Sequence, residues 1–296
     1  MRNEVRKQTR LIERKEQCEV AKQCKSNPKK FWKYVNSKSK SQTTIGDIKT
    51  VGSNGLLSVI NTDEDKASVF DDYIAGVYTC EPDGEFNTLP SRCPTNPCEN
   101  VTFSLEVILD KLNNLKVNKS PGPDSLHTLV LSELRYQLIT PLCLIYETSY
   151  NIGCIPSEWK VANTVPIYKK GSKAEYNNYR PVSLTNIVCK VMVSVIRDHI
   201  MKFFLDNDFL AISGGQIDCI YMVFEKAFDK VPHRRLMSKL QAYGIHSKVL
   251  FWIRDFLEKR QFRVTVNGKF SSWHDVLSGI PQGSILGPLF IYHIHK

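Results

Sequence analysis

Between Ile155 and Leu205 the chain commits to a hairpin that runs straight into a long enclosed helix. Trp159 to Ile167 reads as a strand, Lys169-Lys170-Gly171-Ser172 as its turn, and Asn178-Tyr179-Arg180-Pro181 as the return. Thr185 is placed to cap a helix in which Ile187/Val188, Val191/Met192, Val195/Ile196, Ile200 and Phe203/Phe204 recur at helical spacing. A helix apolar over so much of its surface reads as a core helix. Strands and helices on one chain make this a mixed fold.

The remaining elements fit that class. Ser104 caps an amphipathic helix with Leu105, Ile108, Leu109, Leu112 and Leu115 on one face, and Pro121 to Asp124 stops it and restarts a helix after Asp124. Thr140-Pro141 makes a cap and first turn, and Gly153 ends that helix. A helix follows with Leu236, Met237, Leu240 and Tyr243, ended by Gly244, and a further one carries Leu250, Ile253, Phe256 and Leu257. Phe262, Val264 and Val266 then alternate up to Asn267-Gly268, a strong hairpin-turn signal. Upstream, residues 36–60 read as linker and hairpin, 62–78 as a helix, and 80–101 as a loop rich in proline and cysteine.

Charge is uneven along the chain. Residues 1–40 hold 13 Lys+Arg against 4 Asp+Glu, so +9 of the net +10 lies there. A basic arm ahead of a near-neutral body suits a polyanion, with nucleic acid the first candidate. Residues 3–24 read as a charged helix with little apolar face. In the stretch that follows, Lys29, Lys30 and Lys33 interleave with Phe31, Trp32 and Tyr34, a composition suited to single-stranded nucleic acid; a short helix docking its aromatics on a core has the same pattern. Nine scattered cysteines without a Cys-x-x-Cys pair favour a reducing intracellular compartment, nucleus or cytoplasm. No uninterrupted apolar run is long enough to span a bilayer, so no membrane partner is expected.

Four ordered strings carry a family resemblance: Lys119-Ser120-Pro121-Gly122-Pro123-Asp124, the block 155–190, the strand and turn from Tyr221 to His233, and Ser278 to Pro288. Together they resemble the reverse transcriptase of non-LTR (LINE-type) retrotransposons, of the jockey and chicken-repeat group. The resemblance implies RNA-templated DNA synthesis, a nucleotidyltransferase reaction, on an α+β right-hand polymerase fold. Applied here, it divides the chain into a basic helical arm (1–40), a linker region (41–103) and a partial polymerase domain (104–296), with fingers at about 104–212 and an incomplete palm at about 213–296. It further implies that Lys169 and Arg180 contact the triphosphate of an incoming nucleotide. Phe228 would lie beneath the sugar, and Gln282 and Gly283 would frame the template base and the sugar. The partners implied are an RNA template and DNA, and the cofactor is Mg²⁺.

At one position the resemblance argues against activity. The strand that carries the family's first metal-binding aspartate has Val223 there. A valine offers no oxygen to a cation that takes only oxygen ligands. The family's paired aspartates are expected downstream of Lys296, and Ile212 to Gln216 replaces several tens of residues that the family has before this strand. Asp218, Glu225 and Asp229 are the nearby carboxylates, and none stands at a ligand position of the family. The expectation is a truncated, internally deleted and catalytically inactive reverse-transcriptase-domain protein. The alternative is a retained, non-enzymatic RNA- or DNA-binding protein that uses the arm and fingers, with Lys29, Lys30, Trp32 and Lys33 as contacts.

Overall fold

The computed structural model describes residues 44–51, 57–82, 84, 90–93, 97, 98, 100–209, 226 and 228–294, together with scattered positions between 11 and 34. Two compact units emerge, residues 1–45 and 46–296. In the first, residues 17–23 are helical. Lys29, Lys30, Trp32, Lys33 and Val223 lie outside the described residues, as does the strand expected at 217–224.

The second unit opens with a hairpin, β1 (Ile48–Val51) and β2 (Leu57–Ile60), and helix α1 (Asp63–Ala75), whose N-cap Thr62 accepts from the Asp65 N–H. Four helices follow: α2 (Leu105–Asn113), α3 (Thr128–Glu133), α4 (Arg135–Ile152) and, after two strands, α5 (Ile187–Asp206). The strands are β3 (Val161–Tyr168) and β4 (Tyr179–Thr185), and they pair antiparallel with Ile167 opposite Arg180 and Thr164 opposite Ser183. Then come α6 (His233–Ala242), α7 (Ser247–Leu257), β5 (Arg260–Val266), β6 (Lys269–Phe270), β7 (His274–Val276) and α8 (Gly287–Ile294).

β5 is the centre of the sheet. It runs parallel to β3 on one edge and antiparallel to β6 and β7 on the other. Phe262 therefore has Ala162 on one side and His274 on the other, so both edges are occupied there. The Asn267-Gly268 turn has φ of 50° and 90°, the positive pair that a two-residue hairpin requires.

Two cores result. The larger one gathers α2, α4, α5, α6, α7 and α8, with Ile108, Tyr146, Met192, Ile196, Leu236, Trp252 and Phe290 buried in it. The smaller one lies where α1 packs on β5: Ala67, Phe70 and Ile74 are buried, as are Ala162, Phe262, Val264 and Val266.

Several element boundaries need correction. Asn186, not Thr185, caps α5: its side chain accepts from the Cys189 N–H at 3.1 Å, while Thr185 is spent pairing with Ala162. Helix α3 begins at Thr128 rather than after Asp124, because Ser125 takes φ of 57° and His127 Nδ1 accepts from the Leu129 N–H. Asp124 instead accepts from Asn186 Nδ2 and the Leu126 N–H. Pro141 sits inside α4, which starts at Arg135. The bond lost at an internal proline is outweighed by the packing of Leu142, Tyr146 and Tyr150 in the main core. Trp159 closes a short 3-10 turn before β3 begins. Gly153, at φ of 70°, ends α4 as the sequence indicates.

Candidate nucleic-acid and nucleotide site

The glycine-rich loop at 278–283 and the turn at 226–233 are woven together through the backbone. The Ile280 N–H donates to the Phe228 carbonyl at 2.7 Å, and the Gly279 N–H to the Val231 carbonyl at 2.8 Å. Ser278 Oγ donates to the Asp229 carbonyl at 2.7 Å. Only glycine fits at 279: its φ is +87°, and a Cβ there would lie 2.6 Å from the Phe228 carbonyl oxygen. The loop also reaches the hairpin, since the Ser183 N–H donates to the Gln282 carbonyl at 2.9 Å.

At this junction lies a cavity of about 30 Å³, room for one or two waters. Phe228, Asp229, Gln282, Tyr78 and Arg260 line it. Gln282 Nε2 donates to both Asp229 carboxylate oxygens, each at 3.1 Å. Burial nevertheless pushes the Asp229 carboxyl above its usual range, and the Gln282 bond and the Lys226 charge pull only partly the other way. Arg260 is buried, with Nη1 donating to the Phe256 carbonyl at 2.9 Å and Nη2 without a partner among the described residues. Removal from water lowers its pKa.

Strand alternation decides which proposed contacts meet. Thr164 and Ser183 sit opposite one another and line the cavity face, whereas Ile167 and Arg180 form a pair of the other parity and so occupy the other face. Lys169 continues the ladder, its N–H donating to the Asn178 carbonyl at 2.9 Å, and both Lys169 and Arg180 are exposed. Phe228 and Gln282 are thus brought together on the cavity face. Gly283 borders a separate groove on the Arg180 side of the hairpin, next to Val182 and Leu184.

That groove is open and about 800 Å³ in volume. Lys111, Lys116, Lys119, Lys190 and Arg197 line it, and among the described residues no carboxylate does. Asp198, just outside, pairs with both Lys111 and Arg197. Lys116, Lys119 and Lys190 have no acidic partner among the described residues. Burial holds the Lys190 ammonium below its usual range, and the Lys119 charge acts in the same direction. The loop that carries Lys119 is fixed by Gly122, whose Cα packs so closely on Thr185 and Asn186 that a Cβ would come within 2.8 Å of backbone. Three ammonium groups without an acidic partner among the described residues give the groove a positive potential of the kind that attracts phosphates.

Sequence reasoning missed this groove. Its cations come from the end of α2, the loop after it and one face of α5, and in sequence each looks like an ordinary solvated lysine.

Magnesium was implied for the site, and the described residues do not fit a two-metal centre. No group of three His, Cys, Asp or Glu side chains among them is placed to hold an ion. Among the described residues one carboxylate lines the cavity, Asp229, and it is buried and engaged by Gln282. Hard cations need several oxygen ligands at once.

Residues 167–295 match the family described as reverse transcriptase (RNA-dependent DNA polymerase). Among individual proteins, the chain is 26% identical over 226 residues to a probable RNA-directed DNA polymerase from transposon BS of Drosophila melanogaster, covering 62% of this chain and 23% of the relative. It is 26% identical over 219 residues to the RNA-directed DNA polymerase from mobile element jockey of the same fly, with coverage of 62% and 23%. The jockey polymerase of Drosophila funebris is 28% identical over 221 residues, with coverage of 65% and 24%. The chain spans about a quarter of the length of these relatives. Each alignment is longer than the part of this chain it covers, so several tens of the relatives' residues have no counterpart within it.

Proposed function

The chain carries a reverse transcriptase domain of the non-LTR retrotransposon type, and from that premise we propose that it binds nucleic acid without adding nucleotides to it. The observation that carries the proposal is Val223, which stands where the resemblance calls for a metal-binding aspartate. Two-metal chemistry depends on carboxylates that hold both cations against the attacking and leaving oxygens. Loss of one member of such an interdependent set costs on the order of 10⁴-fold or more in rate.

Binding has separate support. Lys116, Lys119 and Lys190 offer positive charge in a groove with no acid among its described lining residues. The glycine-rich loop is tied to the hairpin through the Ser183 N–H and to the turn through the Phe228 and Val231 carbonyls. In this reading Lys169 and Arg180 face phosphate oxygens, one as a flexible point charge and the other as a planar fork. Phe228, Gln282 and Gly283 remain the candidates for packing against sugar and base. The basic arm adds attraction that is independent of nucleic-acid sequence.

Primer extension on an RNA template, with magnesium or manganese, tests the reading, run beside binding of the same primer–template. The expected result is binding without extension. Template-dependent extension above a mock purification would refute it.

A further inference from the structure

The segment upstream of the matched domain touches each part of the candidate site. The Lys49 N–H of β1 donates to the Ala174 carbonyl at 2.7 Å. Tyr73 of α1 meets Tyr176 edge-on, with ring centroids 5.1 Å apart and planes at 64°. The Lys226 ammonium lies 4.8 Å from the centroid of the same Tyr73 ring. Tyr176 belongs to the loop that joins Lys169 to Arg180, and Lys226 opens the turn that presents Phe228 and Asp229. One aromatic ring therefore contacts both.

Helix α1 is fixed along its length. At its start Asn267 Nδ2 donates to Asp63 at 2.8 Å, and Lys269 pairs with Glu64 at 2.6 Å. Beyond its end the Thr79 N–H donates to Ser278 Oγ at 2.9 Å. The turn itself needs support, since Lys226 takes φ of 54°, a conformation that persists only where its surroundings hold it. Its carbonyl accepts from the Asp229 and Lys230 N–H groups at 2.9 and 3.1 Å.

We propose that Tyr73 is a positioning residue coupling the 169–178 loop to the 226–229 turn, so that the segment before the reverse transcriptase domain helps shape its nucleotide site. The structural coupling stands on the contacts above; its link to nucleotides rests on the function proposed for Lys169, Arg180 and Phe228. Edge-on aromatic pairs and cation–π contacts each shift a local opening equilibrium by about threefold to tenfold.

Amide hydrogen exchange on the full chain tests the coupling, comparing the wild type with Tyr73→Leu, Tyr73→Phe and Tyr176→Leu. The reporters are Lys169 and Asn178 in the loop, Asp229 and Lys230 in the turn, and Val191 to Ile200 of α5 as reference. Tyr73→Leu is expected to speed exchange at loop and turn together by about tenfold, with the reference unchanged. Tyr73→Phe keeps the ring and should stay near the wild type. Tyr176→Leu, a change in the loop alone, should also speed the turn amides. Faster exchange at only one of the two segments, or a uniform increase that includes α5, would overturn the proposal. So would a Tyr176→Leu variant whose turn amides do not change. Titration with a fluorescent deoxynucleoside triphosphate separates the two claims: coupled exchange without triphosphate binding upholds the coupling and removes only the phosphate roles of Lys169 and Arg180.

Discussion

The two faces of the central sheet differ in what covers them. One face, with Ala162, Thr164, Phe262, Val264 and Val266, is sealed by α1 and has almost no exposure. The other, with Arg180, Val182, Leu184 and Arg263, is half-open and borders the basic groove. On the sealed face burial of apolar area does the work, and beside the open face the groove's Lys116, Lys119 and Lys190 have no acidic partner among the described residues. Stability and binding are therefore expected to separate by face: substitutions on the first should unfold the protein, and those on the second should weaken ligand binding at constant stability.

The largest effect belongs to the sealed face. Phe262→Ala removes a ring that is 2% exposed and packs edge-on with Tyr78. It should cost about 3–5 kcal/mol in chemical denaturation, and a loss under about 1 kcal/mol would mean that α1 is not a true lid on the sheet. Next in size is the basic arm. A chain starting at Gln42 loses +9 of the +10 net charge. Its dependence of affinity on salt should be shallower by about 3 or more for single strands, with its melting temperature unchanged. Equal affinity and slope for the two chains would show that the arm takes no part in binding.

A smaller effect sharpens the junction between the two faces. Burial raises the folded-state pKa of Asp229 above its unfolded value. The proton is therefore held more tightly in the folded state, so this contribution is fully present below about pH 3.8, the unfolded value. It is lost as pH rises through the raised folded value. Asp229→Asn should remove that loss, so its stability relative to the wild type should improve from pH 4 to pH 7. A constant difference across that range would show that Asp229 is not buried as described.

Much of the sealed face was legible in the sequence because a local rule sets it. Phe262, Val264 and Val266 alternate, and Asn267-Gly268 supplies the two positive φ values that the turn needs. Ser104 and Gly153 begin and end their helices through their own side-chain and backbone chemistry. Pro141 misled because tertiary packing outweighs one lost hydrogen bond, and Thr185 because the neighbouring Asn186 has the better capping geometry. The groove was not legible at all. Lys116, Lys119 and Lys190 come together only through the docking of Gly122 and Asp124 on the start of α5, a contact between segments some sixty residues apart. The coupling role of α1 was hidden for the same reason: nothing in its own sequence shows that Tyr73 lies between two other loops.

The most direct measurement is the salt dependence of binding to a single-stranded RNA, comparing the wild type with Lys116→Ala/Lys119→Ala/Lys190→Ala. These lysines line the groove that borders the open face and have no acidic partner among the described residues, so the melting temperature should change little. Affinity should fall, and the slope of log K against log salt should become shallower by about 2, near 0.7 for each phosphate no longer neutralised. An unchanged slope and affinity in a folded triple variant would contradict the account, because the groove would then carry no nucleic acid.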